Sequence, residues 1–130
     1  MSNSGKSGSE ILANILSNMN QLGNFPMSVL TDKEGLPIAS AFSNGSDPDR
    51  QSAIVAFLQK TAVQVSKQLG MEEIEEISFS YVDGQHLVCR PINIDTSKLI
   101  LAFIISDRDQ SYRRTTNHAV TAIRQVWKQF

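Results

Sequence analysis

The apolar residues of this chain follow two spacings, one typical of helices and the other typical of strands. Apolar residues recur every three or four positions in three segments, residues 9–22, 49–69 and 110–130. Because an α-helix turns once in about 3.6 residues, this spacing predicts three amphipathic helices. Gly23 and Gly70 follow the first two segments, where a glycine commonly ends a helix. Ser7 and Glu10 have the spacing of a capping box at the start of the first helix.

Five further segments are rich in apolar and β-branched residues and are bounded by turn residues, which predicts strands. They are residues 27–31, 36–42, 74–82, 85–92 and 99–105. Asp83-Gly84 predicts a two-residue hairpin turn, and residues 93–97 predict a polar loop. Pro37 is expected at the start of its strand or on a sheet edge. The last segment is apolar at every position, which is typical of an interior strand covered on both faces.

The order of these elements is helix, two strands, helix, three strands, helix. Two hairpins without a repeated strand–helix alternation predict an α/β fold with a five-stranded, mostly antiparallel sheet. Since the last strand needs cover on both faces, we expect a three-layer α/β/α sandwich. The first and last helices lie on one side of the sheet in this arrangement, and the middle helix lies alone on the other.

The middle helix is predicted to have two apolar sides. The main stripe consists of Ile54, Phe57, Leu58, Ala62, Val65 and Leu69. A rotation of 100° per residue places a second set of small, apolar and lysine residues on the opposite side. We expect this side to face away from the sheet and to meet a second copy of the chain, while the third strand pairs with its own copy and covers an open edge. The predicted dimer interface comprises Ala53, Ala56, Lys60, Val63, Lys67, Ile77 and Phe79.

The length and charge of the chain limit the kinds of protein that it can be. The chain has 130 residues, which predicts one domain at residues 9–130 after a polar, flexible tail at residues 1–8. Lys and Arg number 12 against 13 for Asp and Glu, a balance that argues against a nucleic-acid partner. A single cysteine excludes an intrachain disulfide. The longest apolar run is far shorter than the ~20 residues of a spanning helix, so we expect no membrane insertion and a cytoplasmic location.

No group of residues predicts an active site. Gly5-Lys6-Ser7 resembles the end of a phosphate-binding loop, but it lacks the earlier glycine and the preceding strand. Cys89 and His86 are three residues apart on one strand and therefore point to opposite faces, and His118 lies on the last helix. The two histidines and the cysteine lack metal-ligand spacing. We therefore predict no catalytic, cofactor-binding or metal-binding residue, and a binding or assembly module rather than an enzyme.

Two charged clusters have ordinary explanations. The acidic residues of segment 72–76 are expected to form a solvated face, with attraction of a basic partner as the alternative. Arg113 and Arg114 are adjacent on the last helix, which is weak support for a phosphate site.

The whole pattern resembles the roadblock family, which includes dynein light chain seven and its bacterial relatives. The resemblance covers about residues 9–130. It lies in the first hairpin at residues 29–40, the long helix after a polar loop, the Asp83-Gly84 turn, residues 87–92 and the apolar strand 99–105. It implies a profilin-like sandwich and a homodimer with a sheet continuous through the third strand and with paired middle helices.

The resemblance also implies a regulator or scaffold for a Ras-like small GTPase. The bacterial relatives resemble GTPase-activating subunits of cell-polarity or motility systems, and such a regulator can order the catalytic groups of the GTPase without an arginine finger. The expected partner-binding residues are Arg50, Gln51, Lys60, Gln64 and Lys67. Two alternatives stay open: a scaffold for a non-GTPase partner or a paralogue, and a small-ligand sensor. A sensor needs a cavity with convergent polar groups, and the sequence shows no obvious set.

Overall fold

A computed structural model of the protein describes residues 7–34, 36–42, 56, 60–61, 63–64, 66–70 and 73–129. The first and last helices are α1 (Gly8–Gly23) and α3 (Arg113–Trp127). The middle helix, α2, is helical at every described residue from 56 to 69. The strands are β1 (Met27–Asp32), β2 (Pro37–Phe42), β3 (Ile77–Ser80), β4 (His86–Ile94) and β5 (Ser97–Ile105). This order of elements confirms the predicted one.

The five strands form one sheet in the order β2-β1-β5-β4-β3, and every neighbouring pair is antiparallel. The apolar strand β5 therefore occupies the centre, as its composition predicts. Pro37 is the first residue of an edge strand, where its missing N–H breaks no ladder.

Alternate residues of β5 belong to two separate cores. Leu101 and Phe103 pack with Leu16 of α1 and Ile123 of α3 on one face of the sheet. Ile100 and Ala102 belong to the core on the opposite face, and Ile100 also lines a cleft together with residues of α2. The structure thus has α1 and α3 on one side of the sheet and α2 on the other, which confirms the predicted three-layer sandwich.

Two predicted turns differ from the observed ones. The last ladder pair of the β3–β4 hairpin is Ser80 with His86, so its turn is longer than the predicted two residues. The hairpin closes through the N–H of Tyr81, which donates to the carbonyl of Gln85, and through Gly84, whose φ is +95°. Conversely, the predicted loop 93–97 is a tight turn, since Ile94 pairs directly with Ser97. An aspartate at φ +53° makes this turn, a conformation that Asp adopts more readily than most residues.

Strand β3 is shorter than the predicted segment 74–82. It spans only Ile77–Ser80, because the residues before it are engaged by α3 and the residues after it form the turn. Of the predicted second helix, residues 49–55 lie outside the described part of the chain.

Both ends of α1 are capped. At its start, the Ser7 hydroxyl accepts from the N–H of Glu10 at 3.2 Å, as the capping spacing predicts. At its end, Asn24 adopts the left-handed conformation. The side-chain amide of Gln110 donates to the carbonyls of Gly23 and Asn24, and its oxygen accepts from the N–H of Ser106 at 3.1 Å. One side chain therefore joins the β5–α3 loop to the end of α1.

The Gln110 contact gives a first prediction. Gln110→Ala removes the donor for two carbonyls and should lower the free energy of unfolding by about 1–2 kcal/mol. Urea unfolding followed by circular dichroism measures the change. Gln125→Ala, at an exposed position of α3, is the matched control and should leave the midpoint nearly unchanged. Equal midpoints for the two variants would show that the Gln110 bridge does not stabilise the fold.

Candidate functional site

The described part of α2 has a side that faces the sheet. Ala56 is only 3% exposed within the single chain. Lys60, Val63 and Lys67 line a cleft whose opposite wall includes Ile100 of the sheet. The burial of Ala56 does not agree with its predicted place on a free side of the helix, whereas Lys60, Val63 and Lys67 are exposed. Helical rotation identifies which residues share a side, but both sides of α2 are rich enough in apolar residues to cover a sheet, so the pattern did not determine which one does.

The predicted main stripe of α2 is represented by one described residue. Leu69 is 64% exposed, which contradicts its predicted place against the sheet. The other members of the stripe lie outside the described residues; they are Ile54, Phe57, Leu58, Ala62 and Val65. Ala53 of the predicted dimer interface and Arg50 and Gln51 of the predicted partner-binding set also lie outside them.

The remaining predicted partner-binding residues are brought together. Lys60, Gln64 and Lys67 are exposed and all border the same cleft, as their four- and three-residue spacing on a helix requires.

The cleft lies between α2, the β1–β2 turn and one end of the sheet, and has a volume of about 940 Å³. Its sheet side includes Pro91 of β4 and Ile100 of β5, which are paired across the two strands. Lysines reach the cleft from three elements, the β1–β2 turn, α2 and β5: they are Lys33, Lys60, Lys67 and Lys98. Glu34 and Glu73 are the acidic residues of the described lining. The sequence pattern did not predict this cleft, because its walls are distant from one another along the chain.

Strand β3 forms an edge of the sheet and carries exposed apolar residues. Ile77 pairs with Cys89 and packs against the core on the α2 side. Phe79, two residues on, is 37% exposed, and Tyr81 and Val82 beyond the strand are exposed as well. Within the single chain, β3 has β4 as its only ladder neighbour in the described sheet. An open edge with apolar side chains is a surface that commonly pairs with another strand.

A polar cluster fixes the segment before β3 to the start of α3. The Tyr112 hydroxyl donates to Glu76 at 2.6 Å, and Arg113 forms ion pairs with Glu75 at 3.3 Å and with Glu76 at 3.9 Å. Burial raises the pKa of Tyr112, and its hydrogen bond to Glu76 adds to the rise. The nearby carboxylate of Glu76 and then the hydrogen bond to Glu75 raise the pKa of Arg113. The expectation that the acidic run is simply a solvated face is thus wrong for Glu76, which is partly buried and bonded.

A second contact ties the sheet to α3. Arg90 of β4 donates to the hydroxyl of Thr116 at 2.7 Å, and that hydroxyl is 2.9 Å from the carbonyl of Tyr112, one helical turn earlier. Thr116 is fully buried, so this bond satisfies polar atoms that water does not reach. Nothing in the local sequence around Arg90 predicts this partner, which lies 26 residues away.

The cysteine is unsuited to nucleophilic chemistry. Cys89 has no exposed surface, and desolvation, with a smaller contribution from Glu76, raises the pKa of its thiol to about 12. Cys89 belongs to the core on the α2 side, whereas the Nδ1 atom of His86 lies 3.1 Å from the Ser80 hydroxyl. Among the described residues, no three potential ligands are grouped to hold a metal ion. No helix in the described part of the chain is long and apolar enough to cross a membrane.

The family model of the Roadblock/LC7 domain matches residues 11–92, more than half of the chain. This chain belongs to the Roadblock/LC7 domain family. Its fold is similar to that of Myxococcus xanthus MglB, with a TM-score of 0.77 at 16% identity over 92% of this chain and 90% of the other. The gliding protein MglB of Thermus thermophilus has a TM-score of 0.77 at 14% identity over 95% and 93% of the two chains.

A structure of MglB with a tetrameric arrangement has a TM-score of 0.75 at 15% identity over 95% of this chain and 92% of the other. At these identities the likeness establishes the shared roadblock fold. None of the curated proteins compared with the chain matches it.

The buried thiol gives a second prediction. The pKa of the Cys89 thiol is higher in the folded protein than in the unfolded chain. The stability that is linked to the protonated thiol is therefore complete below the ordinary thiol pKa of 9.0 and is lost as pH rises towards about 12. The free energy of unfolding of the wild type should therefore fall relative to that of Cys89→Ala above about pH 9, by up to about 1.4 kcal/mol per pH unit.

Urea titrations of both proteins at about pH 8 and about pH 10.5 measure this difference. The folded protein should also resist a thiol reagent at about pH 8 that modifies the unfolded chain at once. Rapid modification of the folded protein would contradict the buried, protonated thiol.

Proposed function

We propose that this roadblock-domain protein is a homodimeric, non-catalytic regulator of a Ras-like small GTPase. The observation that carries the proposal is the open β3 edge with exposed apolar side chains next to α2, in a chain with the roadblock fold. The role in GTPase regulation is the one that the resemblance to the family implies. We place the protein in the cytoplasm and in a polarity or motility system on the same ground.

The dimer contact is proposed at the β3 edge. Antiparallel pairing of Ile77–Ser80 with the same strand of a second copy satisfies the open N–H and carbonyl groups and covers Phe79. Such a contact has two-fold symmetry, so the two sheets become one. The helix half of the contact, predicted at Ala56, Lys60, Val63 and Lys67, moves to the side of α2 where Leu69 is exposed, because Ala56 is already buried in the single chain.

The GTPase contact is proposed at the exposed side chains of Lys60, Gln64 and Lys67. These three residues share one stripe of α2 and provide two cations and an amide. Two-fold pairing presents this stripe twice, once on each copy. The proposed regulator orders the catalytic groups of the GTPase and supplies no arginine finger.

The dimer is tested with one substitution inside the edge strand and one outside it. Phe79→Glu places like charges next to each other across the two-fold axis, so we expect a monomer by light scattering at about 100 μM, where the wild type is a dimer. Val82→Glu, beyond the end of β3, is the matched control and should keep the dimer mass. Circular dichroism confirms folding. A folded Phe79→Glu dimer would disprove the edge contact, and a monomeric wild type would disprove the homodimer.

The GTPase contact is tested by co-elution and by nucleotide hydrolysis. Ras-like GTPases of the source organism are loaded with GDP or with a non-hydrolysable GTP analogue and mixed with the protein. We expect co-elution with the GTP-analogue form and loss of co-elution in Lys60→Glu/Lys67→Glu. Lys128→Glu, at the cap that follows α3, should retain co-elution. Any stimulation of hydrolysis should stay below the roughly 10³-fold effect of an arginine finger. Absence of binding in both nucleotide states would favour the scaffold for a non-GTPase partner or a paralogue.

A further inference from the structure

The cleft under α2 has the size of a small-molecule site. Its volume of about 940 Å³ is at the upper end of the range of roughly 300–1,000 Å³ that ligand pockets occupy. It is open to solvent and lies between elements of one chain, with α2 on one side and the sheet on the other. The proposed GTPase contact uses the exposed side-chain ends of α2, whereas the cleft extends beneath the helix to β4 and β5.

The floor of the cleft is apolar. Pro91 of β4 and Ile74 before β3 are partly exposed to it, and Pro91 lies beside the buried Ile100 in the ladder. Val63 lines the cleft from the helix. A ligand with an aliphatic or aromatic body removes this surface from water, which contributes about 25 cal/mol for each Å² that it buries.

The rim of the cleft is cationic. Among the described residues, four lysines and two glutamates border it, whereas the whole chain has a formal net charge of -1. In the part of the chain that the structure describes, the ion pairs all involve Arg113, so none of the four ammonium groups is neutralised by a carboxylate of that part. The lysines come from separate elements and converge on one concavity, where their fields add and attract an anion.

We propose that this cleft binds an organic anion with an apolar body, of the class of aliphatic carboxylates. The body lies against the accessible apolar residues Val63, Ile74 and Pro91, and the carboxylate lies among the ammonium groups of the rim. The anion is attracted by the ammonium groups of Lys60 and Lys67 of α2 and of Lys33 and Lys98 of the sheet layer. Its binding therefore holds α2 against the sheet.

The inference is tested with three probes that share a twelve-carbon chain, each used below its micelle-forming concentration. Dodecanoate is the anion, dodecanol the neutral analogue and dodecyltrimethylammonium the cation. Isothermal titration calorimetry at about pH 8, where the carboxylate is charged, should show one dodecanoate per chain, with affinity that falls as salt is added. Dodecanol should bind at least about tenfold more weakly, and the cation should not bind.

Two lysines outside the proposed GTPase contact provide the variants. Lys33→Gln/Lys98→Gln removes two of the four lysines of the described rim and should weaken dodecanoate at least about tenfold without changing dodecanol. Lys128→Gln, on the opposite helical layer, is the matched control and should bind dodecanoate like the wild type. Val63→Glu, at a partly exposed position, adds a carboxylate to the cleft and should abolish dodecanoate binding.

Three outcomes would overturn the inference. Equal binding of the anion and the cation would show an apolar site that does not select charge. Unchanged affinity in Lys33→Gln/Lys98→Gln would place dodecanoate elsewhere on the protein. Absence of binding together with an intact dimer would mean that the cleft is closed by the second copy. The result is independent of the GTPase experiment, because it uses this chain alone and variants that spare Lys60 and Lys67.

Discussion

Strand β5 lies at the centre of the sheet, and its residues from Leu99 to Ile105 are apolar on both faces. Their burial requires a helical layer on each side, because a half-exposed strand of this kind would leave a continuous apolar surface in water. In the part of the chain that the structure describes, two helices, α1 and α3, cover one face, and α2 covers the other. The three-layer architecture therefore follows from the need to bury this single strand on both faces.

The layer with one helix contains both candidate surfaces. On the side of α1 and α3, the Gln110 amide and the Arg90–Thr116 bond join neighbouring elements. On the other side, α2 is the helix of the described chain that faces the sheet, and the cleft lies beside it. The β3 edge is open for a different reason, since β3 is the last strand of the sheet and has β4 as its neighbour. A partner, a second copy or a ligand supplies apolar contact where the single chain does not.

The sequence predicted the features that depend on local spacing. The apolar run of β5, the order of elements and the opposite faces of Cys89 and His86 all follow from a repeat of two or of 3.6 residues. The burial of Ala56 and the exposure of Leu69 were not predicted, because both sides of α2 carry apolar residues and only the packing decides which of them are covered. The Tyr112–Glu76 bond and the cleft were missed, since each joins residues that are distant along the chain and ordinary when taken singly. Local patterns determine which residues share a side, whereas non-local packing determines what that side contacts.

Residues 73–77 connect all the parts of the molecule to which we assign a role. Glu73 and Ile74 line the cleft, Glu75 and Glu76 are bonded to α3, and Ile77 begins the edge strand. The bonds to Tyr112 and Arg113 hold the middle of this segment against the start of α3. A displacement of Glu73 and Ile74 at the cleft therefore either moves the start of β3 or is resisted by α3. Because α3 is packed against α1 through a continuous core, resistance is the favoured outcome. The cleft can then exchange its occupant while the β3 edge keeps the register that pairing with a second copy requires.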